Sequence, residues 1–181
     1  ADGIRSEGVE KTKQIINEVN IPVIGLVKSV FDDNTVRITG RFKDVENLLK
    51  IGCNIIAIDG TLRIRENLTG PEFITKVKRK YQCLVLADIS TKEEAIDCQN
   101  SGADFVSTTL NGYTPETKTY NNGLPNFKLI EDLVSELKIP VFAEGRISTP
   151  SQAKKLINLG LKGIIIGTSI TRPRLITNKF V

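Results

Sequence analysis

The hydrophobic residues of this chain fall into short unbroken runs rather than alternating with polar residues. Six runs, rich in β-branched residues, recur along the chain: 22–27, 55–58, 84–87, 105–106, 141–143 and 164–166. Runs of this length are typical of strands buried on both faces of a parallel sheet. Residues 3–5 are predicted to be the tail of a further strand, which makes seven.

Helical patterns lie between the runs, and they are expected at 9–19, 43–51, 71–80, 90–101, 127–137 and 149–159. Ser90 with Glu93 predicts a capping box for the fourth helix, and Thr149 with Gln152 predicts one for the last. Three of these helices are followed by a glycine that stops the helix before the next run: Gly52, Gly102 and Gly160.

Repeated βα units predict an α/β fold with a parallel sheet. Seven units that start in mid-strand indicate a (β/α)8 TIM barrel without its first βα unit in this chain. Residues 1–181 are then a single barrel domain with the N-terminal strand and helix missing. An open doubly wound sheet is the alternative, although no G-x-G-x-x-G fingerprint supports a dinucleotide site.

Composition and charge limit the classes of binding partner that this chain is expected to have. The net charge is +4, but lysine and arginine are interleaved with acidic residues, and only 6% of residues are aromatic. Nucleic acid is therefore not expected, because few side chains can stack on bases. An anionic small substrate fits the basic balance equally well. No apolar run approaches the roughly 20 residues of a membrane span.

Histidine is absent, which rules out a histidine-ligated metal site and leaves Lys, Glu, Asp, Cys or Tyr as proton carriers. The three cysteines form no C-x-x-C pair, and no secretory signal is visible, so reduced thiols in a cytoplasmic protein are expected. Cys53 and Cys83 precede strands and Cys98 lies on a predicted helix, so a structural role is expected for all three.

Ligands bind at the carboxyl ends of parallel strands in either architecture. One polar residue at such an end is unremarkable, because solvent begins there. Here almost every run is followed by one: Arg5, Lys28, Asp59, Asp88, Thr108 and Thr109, Glu144, and Gly167 with Thr168. Together they predict a convergent site for a small phosphorylated molecule.

Lys28 follows a largely apolar run, so its stem is expected to be buried. Burial lowers the pKa of a lysine towards about 7–8 in catalytic sites, which suits a general base. A structural ion pair with Asp59 or Asp88 is the alternative. Glu144 could act as acid, base or hydrogen-bond anchor.

A salt bridge from Glu144 to Arg5 or Arg146 is the competing structural interpretation. Two late loops, Gly145–Ser148 and Gly167–Ser169, offer close backbone approach and hydroxyls to a phosphate, and Arg172 follows the second. Ordinary turn chemistry is the alternative there.

The polar segment 111–125 is long for a connection, so it is predicted to be a lid. A mobile surface loop is the alternative interpretation of this segment.

The chain resembles the N-acetylmannosamine-6-phosphate 2-epimerase family, which takes part in bacterial sialic acid breakdown, over essentially its whole length. The resemblance is carried by these stretches: Ile4-Arg5, Ile21 to Lys28, Ile56 to Asp59 with Thr61 and Arg63, Ala87 to Thr91 with Glu93 to Ala95, Thr108 to Thr114, Ile139 to Ile147, and Ile170 to Thr177.

The resemblance implies a metal-free and cofactor-free TIM-barrel isomerase, often dimeric, that interconverts the 6-phosphates of N-acetylmannosamine and N-acetylglucosamine. It implies Lys28 and Glu144 as the catalytic pair. Arg5, Asp88 and Arg172 are implied as substrate contacts. Around the phosphate it implies the loops at Gly145-Arg146 and Gly167-Thr168.

Two departures from the family are visible. The family has Gly-Gly where Gly167-Thr168 stands, and its N-terminal strand and helix, with a Ser-Cys-Gln-Ala stretch, have no counterpart here. Two other hypotheses stay open: another phosphosugar-handling barrel enzyme such as an aldolase or synthase, and a non-catalytic phosphosugar-binding paralogue.

Overall fold

The computed structural model describes residues 1–178 and Phe180. Each of the seven predicted strands is confirmed, and a two-stranded hairpin is added. The strands are β1 Ile4–Glu7, β2 Val23–Leu26, β3 Lys28–Val30, β4 Val36–Ile38, β5 Ile55–Asp59, β6 Leu84–Asp88, β7 Phe105–Ser107, β8 Val141–Glu144 and β9 Gly163–Ile165. All neighbours in the large sheet pair in parallel.

The six predicted helices are confirmed with small shifts at their ends. The helices are α1 Val9–Glu18, α2 Phe42–Lys50, α3 Gly70–Lys80, α4 Lys92–Asn100, α5 Phe127–Glu136, α6 Pro150–Ile157, α7 Thr168–Thr171 and α8 Pro173–Thr177, with a 3-10 helix at Pro115–Tyr120. Within the described residues no helix combines the length and apolar character that crossing a membrane requires.

The capping box of α4 differs by one residue from the prediction. Thr91, rather than Ser90, is the N-cap, and Glu94, rather than Glu93, completes the box. Glu94 is buried, and its carboxyl accepts hydrogen bonds from both the amide and the hydroxyl of Ser90 as well as from the Thr91 amide. The carboxyl thus holds the whole turn between β6 and α4.

Strand order distinguishes the barrel from the open sheet. The order β1-β2-β5-β6-β7-β8-β9 follows the chain without the reversal that a doubly wound sheet needs. The sheet also curls, as the contact between Arg5 of β1 and Glu144 of β8 shows. The result is a nearly closed parallel barrel of seven strands with helices outside, and β1 and β9 are its outer strands.

Side chains alternate between the two faces of the sheet. In β6, Val85 and Ala87 pack in the layer under the helices, whereas Leu86 packs inside the barrel with Phe105 and Phe142. The two phenylalanine rings meet edge to face at 5.8 Å. Because side chains alternate with a period of two, the last residue of a strand faces the barrel interior when the residue two positions before it does.

The same parity places two polar residues above the barrel interior. Asp88 lies two residues after the inward-facing Leu86, and Glu144 lies two after Phe142. Each stands where the apolar interior ends. The predicted convergence of the strand ends therefore follows from the pleat of the strands.

The hairpin of β3 and β4 corrects the prediction for Lys28. The chain leaves the large sheet after Leu26, and Lys28 pairs with Ile38 in the antiparallel hairpin. Its side chain is exposed rather than buried along its stem. Asp32-Asp33-Asn34, between Val30 and Val36, was the turn signal for this hairpin, and Asn34 has the positive φ of 58° that such a turn uses.

Gly25 tests how tightly β2 packs against the helices. A Cβ at this position would lie 2.6 Å from Cys53 Sγ and 3.0 Å from Leu48 Cδ2. We expect Gly25→Ala to lower the free energy of unfolding by about 1–3 kcal/mol because the surrounding core must shift. Urea denaturation measures this. Gly167→Ala is the matched control, since its Cβ would meet open space, and equal effects of the two would contradict the prediction.

Candidate active site

A buried ion pair lies at the centre of the strand ends. Arg5 Nη1 and Nη2 donate to Asp88 Oδ1 and Oδ2 at 2.9 and 2.7 Å. Arg5 Nη1 also lies 3.2 Å from Glu144 Oε2. Burial lowers the pKa of Arg5, but the two carboxylates outweigh it and raise that pKa overall. One guanidinium therefore links β1, β6 and β8.

Glu144 is the carboxyl that faces the open part of the site. Its pKa is raised, mainly because burial disfavours its charged form and further because Asp88 is nearby. The cations Arg5 and Lys28 act in the opposite direction. The Thr108 hydroxyl fixes the main chain of Glu144: it donates to the Glu144 carbonyl and accepts from the Glu144 amide, at 3.1 Å each. A carboxyl with raised proton affinity in a cleft is a candidate acid.

Neither structural ion pair considered for Lys28 is formed. Asp88 is taken by Arg5, and Asp59 is taken by Arg63 at 2.6 Å and Arg65 at 2.9 Å. The salt bridges among the described residues do not include Lys28. Lys28 instead lines the same cavity as Glu144. The competing interpretation of Glu144, a salt bridge to Arg5 or Arg146, is confirmed for Arg5 and not for Arg146.

The cavity above the strand ends has a volume of about 1190 Å³. Its described lining contains five basic side chains and one carboxyl, Glu144. The basic side chains are Lys28, Arg63, Lys118, Arg146 and Arg172. Low-dielectric walls and a positive lining concentrate anions. The cavity is thus suited to a small anionic ligand rather than to a cation.

The two predicted phosphate loops both reach this cavity. Gly145 has a φ of 103°, and no atom lies within 4 Å of a Cβ built on it or on Gly167. Thr168, at the start of α7, and Arg172 line the same cavity, and Arg172 is exposed. Open space around bare backbone is what close approach of a phosphate needs. A phosphate role for these residues stays a prediction.

Arg146 is engaged with the segment 111–125. Its Nη1 donates to the Asn111 carbonyl at 2.8 Å, and its Nε donates to the Leu124 carbonyl at 2.8 Å. The guanidinium thereby ties together the two ends of the segment. Thr114 and Thr117 within it are buried, so the segment is packed rather than merely polar.

Reading the strand ends from the sequence did not anticipate the positions of Asp59 and Arg63. Asp59 does not reach the cavity, because Arg63 and Arg65, four and six residues further on, bind it in a buried cluster. Arg63 itself does line the cavity. The spacing of these arginines after Asp59 was visible in the sequence and was the signal for the cluster.

Other parts of the described chain offer less chemistry. A second cavity of about 340 Å³ lies at the opposite ends of the strands, and its lining is mostly apolar. Within residues 1–178 and at Phe180 no group of three or more His, Cys, Asp or Glu could hold a metal ion. The Cys53 and Cys98 thiols donate to backbone carbonyls inside the core, as a structural role predicts.

Comparison with known proteins gives consistent results. The model of the family “NanE: Putative N-acetylmannosamine-6-phosphate epimerase” matches residues 1–181. A curated relative from Clostridioides difficile (strain 630), named “Putative N-acetylmannosamine-6-phosphate 2-epimerase”, is 46% identical over 181 residues, which cover 100% of this chain and 80% of the relative. A relative of the same name from Clostridium perfringens is 42% identical over 180 residues, which cover 99% of this chain and 80% of the relative.

Solved structures give the same result. The N-acetylmannosamine-6-phosphate 2-epimerase from Clostridium perfringens superposes with a TM-score of 0.90 at 41% identity, covering 99% of this chain and 78% of that one. An inosine 5′-monophosphate dehydrogenase from Legionella pneumophila superposes with a TM-score of 0.62 at 16% identity, covering 88% and 47%. The second likeness concerns the fold alone.

Removing the central cation tests the ion pair. Arg5→Met leaves the fully buried Asp88 without its partner, so we expect the free energy of unfolding to fall by about 3–5 kcal/mol. Lys128→Met breaks the exposed Lys128–Asp132 pair and is the control, because exposed pairs contribute little. Chemical denaturation of both variants measures the contrast. Similar losses in the two would show that the Arg5 pair is not buried as described.

Removing the Arg146 side chain tests whether its two hydrogen bonds, the Arg146 clamp, hold the ends of the segment 111–125 together. We expect Arg146→Ala to speed chymotryptic cleavage at the exposed Tyr113 and Tyr120, because both ends of the segment lose a donor. Arg146→Lys keeps the charge but not the forked geometry, so it should also be cleaved faster than the wild type. Gel or mass analysis of a digestion time course shows this. Unchanged cleavage in Arg146→Ala would contradict the clamp.

Proposed function

The chain belongs to the N-acetylmannosamine-6-phosphate epimerase family, and we propose that its Lys28 and Glu144 carry the proton transfers of a C2 epimerisation. The reaction interconverts N-acetylmannosamine 6-phosphate and N-acetylglucosamine 6-phosphate. The observation that carries the proposal is the pairing, in one basic cavity, of a lysine with the cavity's one carboxyl among its described residues. The match of the whole chain to the family supports it.

The chemistry requires two proton carriers and a means of stabilising negative charge. In the open-chain sugar, C2 lies beside the C1 aldehyde, so a base can remove its proton. The electron pair of the C2–H bond forms the C1=C2 double bond, and the carbonyl electrons move to O1. A proton delivered to the opposite face of C2 restores the aldehyde with inverted configuration. Positive groups near O1 stabilise the enolate.

Lys28 and Glu144 suit these two tasks. Glu144 has a raised pKa and reaches the cavity from the end of β8. Lys28 reaches it from the hairpin, a separate element. Two carriers on different elements can address two faces of one carbon, which inversion requires. Arg5 and Asp88 lie beneath them, do not line the cavity and are proposed to fix Glu144. Their role as substrate contacts stays a prediction.

The far side of the cavity is proposed as the phosphate site. Gly145 and Gly167 expose backbone there, Thr168 adds a hydroxyl, and Arg146 and Arg172 add charge. Because Arg146 holds the segment 111–125, a phosphate near it would be coupled to that segment. We infer on this ground that the segment is a lid that limits water access during turnover.

The wider setting is also proposed rather than observed. A sugar phosphate does not cross a membrane unaided, because its charge is costly to bury. We therefore infer cytoplasmic action, in sialic acid breakdown as in the family. A homodimer is inferred from the resemblance alone. The grouping of basic side chains inside the cavity argues against a nucleic acid partner.

Deuterium exchange tests the function directly. Incubation of N-acetylmannosamine 6-phosphate with the protein in D2O should label C2 and yield N-acetylglucosamine 6-phosphate, as followed by proton NMR. Lys28→Ala and Glu144→Gln should each slow both events by about 10²–10⁴-fold. Lys13→Ala, on the exposed side of α1, is the control and should exchange as the wild type does.

Two outcomes would overturn the function. Absence of both label and product with the wild type would exclude epimerisation of this substrate. Trapping of substrate on Lys28 by borohydride would instead show a Schiff base, and would favour an aldolase.

A further inference from the structure

The hydroxyl of Thr109 lies between the two carboxyl groups of the site. Its Oγ1 is 2.6 Å from Asp88 Oδ1 and 3.0 Å from Glu144 Oε2. The hydroxyl of Ser107, two residues earlier and fully buried, lies 2.9 Å away. Three oxygens thus surround one hydroxyl at hydrogen-bond distance.

A count of protons limits what this arrangement can be. A threonine hydroxyl has one proton and two lone pairs. If both carboxyls were ionised, only one could receive that proton, and the other would face a lone pair of Thr109. An ionised Glu144 would then have Arg5 as its nearby cation, at 3.2 Å, but no hydroxyl donor from Thr109. All contacts are satisfied when one carboxyl is protonated and donates to Thr109. Thr109 then donates to the other carboxyl, and Ser107 donates to its second lone pair.

The distances indicate which carboxyl holds the proton. The 2.6 Å contact to Asp88 has the length of an O–H donor on a carboxylate, whereas the 3.0 Å contact to Glu144 is longer than that class. Asp88 also receives two hydrogen bonds from Arg5, which favour its ionised form. Glu144 is therefore the carboxyl left to be protonated, and burial raises its pKa in the same sense.

The charges around Glu144 do not decide the matter by themselves. Arg5 from β1 and Lys28 from β3 favour the carboxylate, and Asp88 from β6 favours the neutral acid. A hydrogen bond donated by Thr109 to Glu144 would favour the carboxylate as well. Opposing influences of this kind leave room for one hydrogen bond to tip the balance. The direction of the Thr109 hydrogen bond is that deciding contact.

We propose that Thr109 is a positioning residue that sorts protons: it donates to Asp88, offers Glu144 only a lone pair, and so strengthens the hold of Glu144 on its proton before turnover. The inference rests on the proposed function for its catalytic meaning. With Glu144 as the acid, neutral Lys28 takes the C2 proton and becomes an ammonium. Glu144 gives its proton to the opposite face and becomes a carboxylate. The reverse reaction returns both protons, so the pair is balanced.

A titration of Glu144 by carbon NMR, with 13C-labelled glutamate, tests the proton position. Glu144→Gln identifies the signal by its loss. In the wild type the Glu144 midpoint should lie above the ordinary value of about 4.3. In Thr109→Val, which keeps the shape, the midpoint should fall by about one pH unit because the acceptor of its proton is lost. A hydroxyl that donates to ionised Glu144 would give the opposite sign.

Kinetics of the same variants should follow the titration. In Thr109→Val the limb of the kcat/KM–pH profile that Glu144 sets should move to lower pH, and kcat/KM at neutral pH should fall about tenfold, because fewer molecules hold the proton on Glu144. Thr109→Ser retains the hydroxyl and should restore both values. Thr108→Val removes the neighbouring hydroxyl, which bonds only the main chain of Glu144, and should not lower the midpoint.

The proposal is overturned by an unchanged or raised midpoint in Thr109→Val. A wild-type Glu144 that titrates at or below its ordinary value overturns it as well, and that measurement needs no variant to fold. The titration uses the free protein without turnover. A protein that fails to epimerise but shows the expected midpoints would therefore reject the proposed function while retaining the position of the proton.

Discussion

The Arg5–Asp88 ion pair is the interaction on which the rest of the site depends. Its guanidinium comes from β1, its carboxylate from β6, and its further contact from β8. Two charges buried together repay their desolvation only when the geometry is good and their remaining hydrogen bonds are made. The pair meets both conditions, so it fixes the curvature of the sheet and the surroundings of Glu144 at once.

The electrostatics of the cavity combine two opposed requirements. A basic lining attracts an anion, but it also favours the ionised form of any carboxyl nearby. A carboxyl that acts as the acid must instead hold its proton. Burial eases the conflict at Glu144, since loss of solvation is the largest influence on its pKa and, together with the charge of Asp88, leaves that pKa raised despite Arg5 and Lys28. The cations nearer the loops can then serve the ligand without stripping the proton from the acid.

The sequence was sufficient for the seven strands of the large sheet, for six of the helices and for the strand ends that form the candidate site. Continuous apolar runs are typical of doubly covered strands, and the two-residue period carries Asp88 and Glu144 to the inner face. It was not sufficient for Lys28, because a run shows where a strand is buried and not where the chain turns away from the sheet. The contacts of Arg5 and Arg146, 83 and 35 residues from their partners, depend on how the barrel closes, which no local pattern encodes.

Reversibility places a last constraint on the proposed pair. In one direction the pair must start as neutral lysine with protonated glutamate, and in the other as ammonium with carboxylate. Both states hold the same number of protons, so one population of the free enzyme serves both directions only if the two states lie close in free energy. In water a lysine side chain holds its proton far more tightly than a carboxyl does. A raised proton affinity at Glu144 brings the two states closer, which is why a buried carboxyl, rather than a second solvated one, suits the position opposite Lys28.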